Sequence, residues 1–95
     1  MRKMKLKLFV VYDAKTECYG VPFFRDFTAN AIREWQEVAS NKSDKANQIA
    51  KFPFDFTLFE IGAFEQSTGS LEIYESKYSL GLASEHIKEN FTPQN

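Results

Sequence analysis

The chain has 95 residues, a formal net charge of −1 and a pI near 5.8, a length that holds one domain with a modest core and excludes two independent ones. Hydrophobic residues at 43% and aromatics at 16%, ten of them Phe, exclude a disordered chain and point to an aromatic-rich core. The single cysteine excludes an intramolecular disulfide framework, so a reducing compartment is expected.

The opening MRKMKLKLFVVY has the basic-then-apolar order of a signal peptide, but Asp13 ends the apolar run and no small-residue cleavage site follows. No stretch approaches the length of a transmembrane helix, so a soluble, intracellular chain without a membrane partner is expected. Lys3 to Tyr12 predicts a first strand. Met4, Leu6, Leu8, Val10 and Tyr12 form its buried face, and Lys3, Lys5, Lys7, Phe9 and Val11 its outward one. Asp13-Ala14-Lys15-Thr16 is a turn, Glu17 to Val21 returns as a second strand, and Pro22 ends the pairing. Thr28 is the expected N-cap of a helix to about Ser40, with Ala31, Ile32, Trp35, Val38 and Ala39 on one stripe. Ser40 to Lys51 is polar and expected to be mobile, with Ser43 capping one short turn.

Phe56 to Glu75 predicts a hairpin whose turn ends at Gly69. Pairing outward from that turn sets Ala63 opposite Leu71 and Ile61 opposite Ile73 on the face covered by the helix. Phe56, Leu58, Phe64 and Tyr74 then fall on the opposite face. Lys77 to Ala83 adds a last strand with a bulge at Gly81. The expected fold is α+β, an antiparallel sheet of four to five strands against one main helix in the order β-β-α-β-β-β. Residues 1–84 form the single domain and 85–95 a polar, flexible tail. The expected core is Leu6, Leu8, Val10, Ile32, Trp35, Val38, Phe59, Ile61 and Ile73.

Chemistry is mostly marked by absences. His86 stands in the tail segment as a solvated side chain, Cys18 reads as a small core residue, and nothing supplies a base or oxyanion hole for a nucleophile. No CxxC, HxxxH or acidic loop suggests a metal, the isolated glycines form no phosphate loop, and no cofactor is expected. Glu60, Glu65, Glu72 and Glu75 read as solubilising charges on the hairpin rather than an acid–base pair. Up to Lys51 there are ten Lys/Arg against six Asp/Glu, and after it two against seven, an asymmetry able to orient an anionic partner or head-to-tail association. Arg2, Lys3, Lys5 and Lys7 form a cationic row. Beside it, Phe56 and Tyr74 offer stacking surfaces if their face is open, which is what single-stranded nucleic acid needs. The same face serves equally as a dimer interface.

The segments KLKLFVVYDAKTECYGVPFF, DFTLFEIGAFEQSTGSL and SLGLA, in that order with an A-I-R helix between the first two, resemble the small nonstructural protein of gokushoviruses. These are microviruses, small phages with single-stranded DNA. The resemblance covers about residues 5 to 83, and its motifs are specific only in combination. It implies a nonenzymatic protein of the host bacterial cytoplasm that acts on single-stranded DNA in viral genome replication or packaging. No catalytic residues carry over. The acidic C-terminal half keeps an alternative open: a homodimeric or higher-oligomeric adaptor whose partner is a phage or host replication protein or a capsid component.

Overall fold

The structure is a computed structural model that describes residues 5–88. Strand β1 (Lys5–Asp13) carries apolar side chains on both faces, Leu8 and Val10 on one and Phe9 and Val11 on the other. A strand with that pattern belongs in the middle of a sheet covered on both sides. It pairs antiparallel with β4 (Phe56–Glu65) along its length on one side. On the other side it pairs with two short strands, β2 (Cys18–Tyr19) and β3 (Phe23–Arg25). Pro22, which has no N–H to donate, falls in the gap between these two. The fifth strand, β5 (Ser70–Leu82), closes the order β2-β1-β4-β5. Helix α1 (Thr28–Ser40) covers one face, and a single turn, α2 (Gln48–Lys51), follows it. The expected α+β class, with five strands on one main helix, is what forms. Segments 70–75 and 77–83, expected as two strands, run almost wholly within β5, and the short β3 precedes the helix.

Two hairpins share one loop geometry. Asp13 pairs with Cys18 and Glu65 with Ser70, each across four residues. In each loop the last residue is left-handed, Glu17 at φ 59° and Gly69 at φ 76°. Its N–H donates to the carbonyl that opens the loop, at 2.8 Å in both. The opening carboxylate also accepts from the residue two further on, Lys15 N to Asp13 Oδ1 and Ser67 Oγ to Glu65 Oε2.

The second of these loops corrects the expected register. It sets Phe64 opposite Leu71 and Gly62 opposite Ile73, one residue away from the predicted pairs. A slip of one residue exchanges the two faces of a strand. The slip turns Leu71 and Ile73 away from the helix, while Ala63, opposite Lys7, keeps its expected side; α1 packs on Phe9, Val11, Phe56 and Leu58. The face bearing Leu8, Val10, Phe59, Phe64 and Ile73 lies on the side away from α1. A bulge adds to the exchange: Phe9 pairs with Glu60 but Leu8 with Gly62, so Ile61 is an extra residue in β4.

The core under α1 contains Phe9, Ala31, Trp35, Ala39, Leu58 and Ala83. The alanines let the helix approach closely, and Trp35 fills the space between, its Nε1 donating to Gly81 O at 3.2 Å. Of the expected core, Leu8, Val10 and Trp35 are buried, Leu6, Ile32, Phe59 and Ile61 are half-buried, and Val38 and Ile73 are exposed at 36% and 60%. Ile73 is exposed because it lies on the face away from the helix. The helix N-cap is Phe27 with no side-chain bond, because the Thr28 hydroxyl donates to Glu60 instead. Asn47, not Ser43, caps α2. Cys18 is exposed on an edge strand rather than buried. The ordered body runs past residue 84: Ala83–His86 form a 3₁₀ turn, His86 Nε2 bonds Leu80 O at 2.8 Å, and Ile87 packs on the core. Lys88 N then donates to Ser40 Oγ at 2.8 Å. The remainder of the expected tail, with Met1 to Met4, lies outside the described residues.

Trp35→Ala removes the largest buried side chain of α1 and its bond to Gly81, and should cost about 3–5 kcal/mol in a chemical denaturation. Glu17→Gly relieves a left-handed Glu at a position where the sister loop has Gly. It should raise stability on the order of 0.5–1 kcal/mol, the αL strain being offset in part by the added chain entropy of Gly. A lower melting temperature for Glu17→Gly would contradict the assignment of strain to that loop.

Candidate nucleic-acid interface

The sheet face away from α1 is an aromatic platform. Leu8 and Val10, 5% and 4% exposed, form its floor. Pairing with β1 sets Tyr19 opposite Tyr12 and Phe24 opposite Leu8, so both short strands deliver a ring to this side. Tyr19 packs on Tyr12 with centroids 4.7 Å apart and on Phe59 at 6.3 Å, while Phe24 meets Phe64 at 6.0 Å. Lys77 Nζ stands 5.2 Å from the Tyr19 ring centroid, within cation–π range. Tyr19 at 47%, Phe24 at 41%, Leu71 at 54% and Ile73 at 60% are the accessible members.

The residues expected to bind nucleic acid are not brought together there. Arg2 and Lys3 lie outside the described residues. Lys5 and Lys7 alternate with Leu6 and Leu8 and so share the helix side of β1 with Phe9. Lys7 Nζ is engaged by Glu60 Oε2 at 3.7 Å. Phe56 packs against the helix-covered core, and the Tyr74 hydroxyl donates to Glu60 Oε2 at 2.6 Å. Of the predicted open-face aromatics only Phe64 keeps its place. Tyr19, Phe24 and Lys77 take over the positions the sequence assigned to Phe56, Tyr74 and the basic row. The signal for them was the alternation of Tyr12 with Val10 and Leu8, an apolar face that needs partners of its own.

Glu60 is a buried carboxylate, 6% exposed, and such a charge requires partners. Its Oε1 accepts from Thr28 Oγ1 at 2.7 Å, and its Oε2 faces both Tyr74 and Lys7. The three groups come from α1, β5 and β1. Burial, reinforced by the hydrogen bond to Glu60 and by the charges of Glu60 and Glu72, pushes the Tyr74 phenol up to about 12. At the rim of α1, Arg25 grips Glu34 through Nε at 2.8 Å and Nη2 at 2.8 Å. That hydrogen bond holds the Glu34 carboxyl below its usual value and raises Arg25, each opposed by desolvation. Among the described residues no group of three His, Cys, Asp or Glu side chains is placed to hold a metal ion. None of their helices is long and apolar enough to cross a membrane.

Tyr74 binds its proton more tightly when folded, so its stabilising contribution is complete below pH 10 and is lost as pH rises through about 12. An absorbance titration of tyrosinate should show one late component near pH 12 that is missing in Tyr74→Phe. The variant should also show a flatter fall in melting temperature over that interval. A Tyr74→Phe titration with the late component intact would mean another phenol is responsible.

No curated protein and no solved structure matches this chain. The family model described as phage ORF5 protein matches residues 6–86. That span runs from the second residue of β1 to the last residue of the 3₁₀ turn, and the chain therefore belongs to the phage ORF5 protein family.

Proposed function

We propose that this phage protein is a nonenzymatic accessory protein of the microvirus, gokushovirus type. It binds single-stranded DNA during genome replication or packaging in the host bacterial cytoplasm. The observation that carries this is the sheet face away from α1, which no described element covers, where Tyr19 and Phe24 stand accessible and Lys77 lies over the Tyr19 ring. Unstacked bases have flat faces that pair with such rings irrespective of sequence, and a neighbouring ammonium neutralises the adjoining phosphate. Family membership supports the phage setting, and the earlier resemblance to gokushovirus nonstructural proteins supports the genome-handling role.

A second reading has its own observation. Leu71 and Ile73 are more than half exposed on the same face, along the outermost strand β5. Exposed aliphatics beside aromatics suit a protein interface, and in that reading the chain is a homo-oligomeric adaptor for a phage or host replication protein.

A fluorescent single-stranded oligonucleotide, titrated at low and moderate salt with duplex DNA as competitor, separates the two. Tyr19→Ala should weaken binding by roughly 5- to 150-fold, the equivalent of one lost base stack at about 1–3 kcal/mol. Lys77→Gln should lower the slope of log affinity against log salt by about 0.7. Absence of binding at low salt, together with a dimer by light scattering that Ile73→Glu dissolves, would favour the adaptor.

A further inference from the structure

The segment between α1 and α2, polar and patternless in sequence, is tied down at several points. Asn47 makes four hydrogen bonds: its Nδ2 donates to Val38 O and Asn41 O, both at 2.9 Å, and its Oδ1 accepts from Ile49 N and Ala50 N at 3.2 and 3.3 Å. Asn41 Oδ1 accepts from Ser43 N and Ser43 Oγ, and Asp44 Oδ1 accepts from Ala46 N at 3.0 Å. The floor is anchored as well, because Ala50 is buried and Ser84 N donates to Pro53 O at 3.0 Å. This braced loop walls a concavity of about 380 Å³ lined by Lys42, Lys45, Lys51 and Asp44.

All three lysines are exposed, and among the described residues none of them forms an ion pair. The one carboxylate in the wall has an oxygen turned to a backbone N–H. Three lysines lining one hollow carry like charges whose repulsion an anion bound between them would relieve. Lysine offers point charges and rotatable donors rather than a planar fork, which suits the spherical charge of a phosphate better than a flat carboxylate.

We propose that this concavity is a phosphate-binding site, taking the phosphodiester backbone of a nucleic acid or a free phosphate compound. It stands on the helix side of the sheet, on residues separate from Tyr19, Phe24 and Lys77, so it goes beyond the open face and does not depend on it. The test is a ¹H–¹⁵N titration of the full chain with pyrophosphate and, separately, with a short oligothymidylate. It is repeated on a triple variant, Lys42→Gln, Lys45→Gln and Lys51→Gln. Because these side chains are exposed and unpaired, the variant should melt with the wild type. Saturable shifts of the amides of residues 42–51 that vanish in the variant support the site. Shifts with the oligonucleotide assign the nucleic-acid backbone as the source, and shifts with pyrophosphate alone assign a free phosphate compound. In the first case the salt slope of oligonucleotide binding should also fall by about 2 in the variant. No shift of these amides with either probe, or shifts that survive in the variant, overturns the site. Binding lost by Tyr19→Ala in that event leaves the open face standing.

Discussion

One extra residue in a strand decides how this molecule divides its two faces. Side chains along a strand alternate with period two, so Ile61, unmatched between Leu8 and Phe9 of β1, reverses the alternation of β4 at that point. Before it, Phe56, Leu58 and Glu60 point to the helix. After it, Gly62 and Phe64 belong to the opposite face. Gly62 has no room for a side chain, since a Cβ there would run into the Glu72 carbonyl oxygen. The first half of β4 thus builds the helix core and the second half builds the aromatic platform.

The same irregularity places a carboxylate where water is excluded. Glu60 is stable there because β1, α1 and β5 each contribute a partner. Opposite the bulge, Glu60 pairs with Tyr78 and Gly62 with Ile73, so residues 74–77 of β5 form an excursion from regular pairing. Tyr74 at its start reaches inward to Glu60, and Lys77 at its end lies over Tyr19 on the open face. Four residues therefore join the buried polar network to the only described ammonium seen stacked on the platform. The Thr28 hydroxyl bonds Glu60 rather than capping its helix, a local rule given up for a tertiary contact.

Apart from Lys77, the clustered lysine charge and the aromatic platform are separated in this phage ORF5 family member. The rings face one way, while Lys42, Lys45 and Lys51 gather around a hollow on the helix side and Lys7 is held by Glu60. The acidic excess after residue 51 is in part internal, because Glu60 is buried, and in part a loop device, because Glu65 binds Ser67. The formal balance of the two halves is thus a poor guide to the field a ligand meets.

Local patterns were enough for the first strand, the main helix and the central hairpin, but not for the short β3 or for the joining of two expected strands into β5. The alternation of β1, the burial of Ala31, Trp35 and Ala39 in the expected stripe of α1 and the turn ending at Gly69 each follow from backbone sterics and side-chain period. Pro22 interrupts pairing with β1 rather than ending it, since pairing resumes at Phe23. Two local expectations that failed, Thr28 as the helix N-cap and Cys18 as a core residue, are ones in which a tertiary contact or an edge position set the outcome. The choice of face lay beyond that reach. Both sides of β1 are apolar, and both sides of the hairpin carry large hydrophobics, so either could receive the helix. The tertiary structure decided it through a four-residue loop rather than a shorter turn and through the bulge at Ile61, each worth one step of register. The bulge turned Phe56 to the helix side and the loop turned Tyr74 off the open face, while pairing with β1 put Tyr19 and Phe24 on it. The physical reason is that a strand's faces are set by parity, which a sequence shows only relative to a partner it does not name.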